Sequence, residues 1–306
     1  MKAISNNKKN KKLFSANVKE NIAGYLFILP LFIGASLITF VPLVSSFILS
    51  FTDWSLIRGI GDASFIGLDN FKELFTDTIF RRSLLHNIIL LLVVPIGLLF
   101  SLVLAVIINK YIYLKETFKI IFFLPFISSM VAVAIVYQVL FHPTSGPVNN
   151  FLMAIGFENP PMWLADPDVA LISVMIIIIW TQVGLQLILY LAALQNIPED
   201  LYQAADLDGA TAFTKFKNIT VPLVTPTTFL LFVTGLIHTF KVFDLIYVLT
   251  EGGPSNSTNV PVVYLYEEAF EELHSGYASA VGVIILLAVL LITVIQWIGQ
   301  RKWVNY

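Results

Sequence analysis

Long apolar runs alternate with short polar stretches along this chain, and within each run apolar residues follow one another without residue-by-residue alternation. Six runs, roughly 22–50, 84–108, 118–141, 169–194, 223–250 and 278–297, reach the about 20 residues that a helix needs to cross a bilayer. Continuous runs predict helices, since barrel strands alternate lipid-facing and lumen-facing residues. Helices also satisfy their own backbone hydrogen bonds in hydrocarbon. The expectation is an all-α integral membrane protein with six transmembrane helices over 22–299, a tail over 1–21, a polar connection over 195–222 and a short tail over 300–306. The first run is far longer than the apolar core of a signal peptide and no A-x-A-like site follows it, so it reads as a retained anchor. Between the first two runs, Asp69 is placed to cap a short helix with Phe71, Leu74 and Phe75 on one face. That pattern predicts an amphipathic helix along the outer membrane surface.

Composition agrees: 57% of residues are hydrophobic and 12% charged. A cytoplasmic N-terminus puts thirteen of the eighteen Lys and Arg on the cytoplasmic side, so the positive-inside rule places both termini and the 195–222 connection there. Arg81 and Arg82 run against the trend and are outweighed. The Lys cluster over 8–12 reads as a topology signal that can also meet anionic lipid heads. With no cysteine, disulfides, thiol catalysis and thiolate metal sites are excluded. His86, His142, His238 and His274 have no ligand spacing, so no metal is expected. There is no Walker A sequence, hence this chain is not an ATPase. The paired acids Glu267-Glu268 and Glu271-Glu272 read as a solvated helix face. The loops are too short for a soluble domain, and no nucleic-acid partner is expected.

Polar residues inside the runs cost free energy unless they pair or line a cavity. In the fourth run Gln182, Gln186 and Tyr190 lie at i, i+4 and i+8, on one helix face. The fifth has Thr234, His238 and Lys241 at i, i+4 and i+7, joined by Thr239 and Asp244. These stripes are expected to face the bundle interior, either along a solute path or as interhelical hydrogen bonds. Lys241 and Asp244 are spaced for an ion pair, although Lys241 can also snorkel outward. His238 with Phe240 and Phe243 offers hydrogen bonds for hydroxyls and flat apolar surface for a pyranose ring.

The polar stretch 203–222 has more local order than a linker needs. Asn196 is placed to cap a helix, Pro198 suits its opening turn, and Glu199 and Asp200 put negative charge at the positive end of the helix dipole. Gly209 can end that helix, because glycine takes the left-handed cap conformation without steric cost. Ala204 and Ala205 let another backbone approach closely. Residues 211–218 read as a second short helix, and Pro222 turns the chain into the next run. The result is a rigid elbow, a form that a well-capped connection in many multi-span proteins also takes.

Gln203-Ala204-Ala205, Gly209, Ile219 and Pro222 keep the spacing of the "EAA" motif, and the chain resembles the permease subunits of binding-protein-dependent ABC importers. Gln203 stands where glutamate is usual, losing the charge that a salt bridge would use, and Val221 stands where leucine is usual. Gly24-Tyr25-Leu26-Phe27, Ser50-Phe51-Thr52-Asp53-Trp54, Phe122-Phe123-Leu124-Pro125, Gly252-Gly253-Pro254 and Gly276-Tyr277-Ala278-Ser279-Ala280 extend the resemblance, which runs from about Gly24 to the C-terminus and is closest to the sugar-importer branch. It implies a type I ABC importer permease fold in a bacterial cytoplasmic membrane, no cofactor on this chain, and ATP and Mg on a partner. The implied partners are a second, homologous permease chain in a heterodimer, two cytoplasmic ATPase subunits, an extracytoplasmic solute-binding protein, and the sugar or oligosaccharide itself. It implies alternating access, with Gln203, Ala204, Ala205, Asp208, Gly209, Ala210, Ile219 and Pro222 at the ATPase contact. By similarity to the maltose importer, the solute path takes in Phe126 and Met130 in the third span. Ile178, Thr181, Gln182 and Leu185 line it from the fourth, and Gly235, His238, Thr239 and Val242 from the fifth; Gln186 and Asp244 join the candidate path from the polar stripes of those spans. Two other readings are a secondary transporter driven by an ion gradient, and a permease of the same class for a glycerophosphodiester or polyol. The first is expected to show paired half-repeats, which the sequence lacks.

Overall fold

The structure is a computed structural model, described over residues 20–59 and 63–303, with Tyr111 and residues 301–303 described by their backbone alone. The Lys cluster over 8–12 lies outside the described residues. Helix α1 (Glu20–Leu49) contains a π turn, Ser36–Phe40, immediately before Pro42. Proline cannot donate to the carbonyl four residues back and its ring crowds that carbonyl, so a widened turn there relieves the clash. The short helix α2 (Asp69–Thr76) follows, then α3 (Thr78–Leu90) and α4 (Val93–Tyr111), which together form one span. The chain continues through α5 (Lys115–Ile127), α6 (Met130–Leu140) and α7 (Pro147–Ala154) to the long α8 (Pro167–Gln195). After the elbow helices α9 (Glu199–Leu207) and α10 (Ala212–Leu223) come α11 (Thr225–Thr239), α12 (Asp244–Thr250), α13 (Pro261–Tyr266) and α14 (Ser275–Trp303).

Four helices are long and apolar enough to cross a membrane, and two bent pairs bring the number to six if each pair counts as one span. The expected third and fifth spans are therefore not single straight helices. α5 and α6 meet at 98°, and α10 and α11 at 66°. The first bend follows from Pro125 inside α5, after which Ser128 and Ser129 take extended backbone and the Ser128 hydroxyl donates to Leu124 O at 2.8 Å. The second lies at Val224, between Pro222 and Pro226. A third break ends α11 at Thr239, so Lys241 and Val242 lie between helices.

α8 sits at the centre, packed against α4 and α5. Its Gly184 is obligatory, since a Cβ there would lie 2.1 Å from Phe122 O of α5. Val174, Ile177 and Ile178 join Val133, Leu245 and Ile246 in one apolar cluster, and Leu187, Tyr190 and Leu191 join Val94, Leu98 and Leu231 in another. α1 is its opposite, exposed along almost its whole length. It is fastened to the rest near its end, where Asn70 Nδ2 donates to Ser50 O and Thr52 O, each at 2.9 Å.

α2 departs from the surface helix expected of it. Leu74 is fully buried beside Phe80, Val281 and Tyr264, and Phe71 packs on the same cluster, leaving Phe75 outside. Asp69 is bonded to Lys72 at 2.6 Å rather than capping the helix. Asp77 is the true cap of α3: its Oδ1 accepts from Ile79 N at 2.7 Å and Phe80 N at 3.2 Å. Its Oδ2 accepts from the hydroxyls of Tyr264 and Tyr277, which ties α3 to α13 and α14. Burial raises the Asp77 carboxyl, but those four hydrogen bonds outweigh it and hold the group below the usual carboxylate range.

Candidate functional site: a braced elbow and a contact between two spans

The elbow folds as its residues dictate. Gly209 has φ +73°, its N–H donates to Asp206 O at 3.1 Å, and the N–H of Ala210 donates to Ala205 O at 2.9 Å. That pair of bonds is the Schellman cap that glycine at this position permits. Thr211 caps the second arm by accepting from Thr214 N at 3.2 Å. Asn196 has a different place from the one expected: it ends α8, donating from Nδ2 to Ala192 O at 3.1 Å, and Pro198 stands at the N-cap of α9. Two side-chain bonds cross the corner. Lys215 Nζ pairs with Asp206 Oδ1, and Tyr202 Oη and Thr220 Oγ1 share a hydrogen at 2.9 Å. Behind the elbow, a cleft of ≈ 490 Å³ separates it from the ends of α4 and α8, lined among others by Asn109, Leu194, Gln203 and Phe216.

The second constellation lies in the bundle. Gln182 Nε2 of α8 is 3.3 Å from His238 Nε2 and 3.4 Å from Nδ1 of α11, so one amide faces one ring across two spans. α11 approaches α4 closely at Gly235, where a Cβ would lie 2.9 Å from Val94 Cγ1. Phe126 and Met130, both half-buried, flank the α5–α6 bend. Free backbone groups at such a bend are tolerated at membrane depth where protein or a water-filled cavity surrounds them.

A model of the family "Binding-protein-dependent transport system inner membrane component" matches residues 97–304. This chain belongs to that family. A probable ABC transporter permease, YesP of Bacillus subtilis (strain 168), is 37% identical over 94% of the chain and 93% of its own length. The lactose transport system permease LacF of Rhizobium radiobacter is 35% identical over 92% and 95%. A chain from the crystal structure of a bacterial alginate ABC transporter, in complex with an alginate pentasaccharide-bound periplasmic protein, superposes with a TM-score of 0.81 at 26% identity. That match covers 94% of this chain and 96% of the other. The permease thus has the fold of an ABC importer's membrane subunit, as its resemblance implies.

Of the residues placed on the solute path, the structure brings Gln182 and His238 into contact and leaves Leu185 half-buried. Several of the others have contacts of their own. Gln186 is buried and accepts from the Ser101 hydroxyl at 2.8 Å, joining α8 to α4. Thr181 and Thr239 are buried and donate to carbonyls of their own helices. Val242 is buried in the cluster that holds Leu245 and Ile246. Asp244 is exposed in the first turn of α12, and among the described residues no ion pair joins it to Lys241. At the elbow Gln203, Ala204, Asp208 and Gly209 are exposed, whereas Ala205, Ala210, Ile219 and Pro222 are half-buried. Sequence reasoning missed Leu207 and Phe213, 90% and 72% exposed on either side of the corner. Their signal was present: two large apolar residues in a polar stretch have no core to join, so they are available to a partner.

Proposed function

We propose that the permease is the membrane-spanning subunit of an ATP-driven importer that takes a sugar or oligosaccharide from a solute-binding protein. The observation that carries this is the Gln182–His238 contact: hydrogen-bonding groups without a fixed charge, from two spans, in a chain whose relatives include permeases named for lactose and arabinooligosaccharides. Paired donors and acceptors with aromatic neighbours suit hydroxyl-rich rings. A second reading has one supporting relative, an sn-glycerol-3-phosphate permease of Pectobacterium atrosepticum, 32% identical over 80% of the chain. A phosphate would need cationic ligands, and the six apolar runs hold two Lys or Arg, Lys119 at the start of the third and Lys241 in the fifth.

In this reading the subunit performs no chemistry; ATP and Mg reside on two copies of a cytoplasmic ATPase. The elbow seats Gln203, Ala204, Ala205, Leu207, Asp208, Gly209, Ala210 and Phe213 against that ATPase, with Ile219 and Pro222 carrying its second arm into the fifth span. A second permease chain completes the pathway and covers apolar surface of α1 that this chain leaves bare. Both termini are cytoplasmic, in keeping with the lysines that precede α1. The binding protein encoded with this permease, purified and offered a panel of sugars, polyols and glycerophosphodiesters, tests the solute class. Sugar capture, with the loaded protein stimulating ATP hydrolysis by the complex, is the expected result; capture of a phosphodiester alone would replace it with the second reading.

A further inference from the structure

The elbow is braced within itself and meets the rest of the molecule through Phe216 and the adjoining Ile197, which pack on the cluster of Leu194 and Val224. Its two arms meet at the Gly209 cap, where backbone bonds fix the corner. Further out along the arms the Asp206–Lys215 pair bridges them, and beyond that Tyr202 bonds Thr220. The Lys215 side chain is only 12% exposed and Thr220 is 3% exposed, so both are held as well as paired. Behind these braces lies the cleft of ≈ 490 Å³, and the elbow joins the spans through the 196–198 link and the 66° bend at Val224. Loop connections of this kind are where hinges absorb backbone rotation.

We propose that Asp206–Lys215 and Tyr202–Thr220 are the locks that hold residues 199–223 in one geometry as the importer works, and that the hinge passing the motion to His238 is the bend at Val224. Asp206, Lys215, Tyr202 and Thr220 are positioning residues: they touch neither solute nor nucleotide and act by keeping the two arms in one geometry. The inference rests on the importer reading. A push by the ATPase on the first arm reaches α11 only if the corner does not yield. With the braces cut, the same push is absorbed by opening the elbow into the cleft behind it. Coupling of this form requires a two-state element that both sites bias, and the braced lever with its hinge supplies one.

The test uses the whole complex, with its ATPase and binding protein, in proteoliposomes. Solute transported per ATP hydrolysed is measured for wild type, Asp206→Asn, Lys215→Met, Tyr202→Phe and the exchanged pair Asp206→Lys with Lys215→Asp. Each single charge variant is expected to lower the ratio roughly tenfold. Tyr202→Phe, which keeps the ring and removes the hydroxyl, is expected to lower it less. The exchanged pair restores the ratio, because the bridge is re-formed with its ends reversed. A ratio unchanged in the single variants would overturn the inference. So would a loss that the exchanged pair does not restore, because Asp206 would then act by touching the ATPase. Absence of ATP-driven uptake in the wild type would instead overturn the importer reading. A second readout exploits the absence of cysteine: spin labels at Asp200→Cys and Asn218→Cys, both exposed positions, keep one distance with and without ATP. A nucleotide-dependent change in that distance contradicts a single lever.

Discussion

The fourth and fifth spans supply the two side chains that meet, Gln182 and His238, but they are built in opposite ways. α8 runs for 29 residues without interruption and is buried on two of its faces, with Ile172, Ile176 and Trp180 exposed along another. The fifth span is divided at Val224 and again after Thr239, with prolines on either side of the first break and an exposed Lys241 in the second. A continuous helix packed along its length against two neighbours has few ways to bend, since interiors are close-packed. A segmented one can rotate at its joints. The Gln182–His238 contact is thus made between a continuous post and a jointed arm, and the elbow joins both, the post through the 196–198 link and the arm through the bend at Val224.

The sharpest way to break this comparison is to spoil the post. Gly184→Val places side-chain carbon where Phe122 O stands, 2.1 Å from the Cβ position, and is expected to abolish the folded complex, seen as loss of co-purification with the ATPase. Next comes the arm's far end. A Cβ at Gly209 meets nothing within 4 Å, so Gly209→Asp costs this chain roughly 1–2 kcal/mol for its left-handed backbone and leaves insertion intact. Transport is nevertheless expected to be lost, because the new side chain would enter the proposed ATPase contact; wild-type uptake in that variant would remove Gly209 from the contact. At the meeting point, His238→Ala and Gln182→Ala should each lower solute-stimulated ATP hydrolysis several-fold relative to hydrolysis without solute, and equal stimulation in both variants would take them off the path. Gln186→Leu is smaller, costing about 0.6–1.7 kcal/mol for the lost bond to Ser101, with solute response kept; a lost response would show that Gln186 also faces the path.

Asp77 gives the smallest effect. Its carboxyl lies below the usual range in the folded state, so the stability it contributes is present above the unfolded value and is lost as pH falls through the folded one. Thermal stability should fall further in acid in the wild type than in Asp77→Asn; identical acid profiles would show that the Tyr264 and Tyr277 bonds do not depend on the charge.

How legible each region was in the sequence follows from the same contrast. α8 and the Gly209 corner could be read directly, one from an uninterrupted apolar run and the other from a glycine after a capped polar helix. The joints of the third and fifth spans were hidden, because the polar residues there, Ser128-Ser129 and Thr225-Pro226-Thr227-Thr228, are too few to end an apolar run, and hydropathy is blind to direction. Pro125, Pro222 and Pro226 were the available signs. Asn196 was misplaced because α8 ends and α9 begins within four residues, and asparagine serves at either helix terminus. In the solute stripe, spacing put Gln186 and Tyr190 on the same face as Gln182, but it could not reveal that Ser101 and Thr228 stand opposite them. Leu207 and Phe213 escaped because a motif draws attention to its own positions.

The central claim is that ATP, acting through the elbow, drives sugar inward past the α8–α11 contact. Its most direct test is uptake of labelled sugar into proteoliposomes that hold the permease with its partner chain and ATPase, with the binding protein outside and ATP inside. The account predicts uptake that requires both ATP and the binding protein and persists when ionophores collapse proton and sodium gradients. Uptake that follows either gradient without ATP would contradict it.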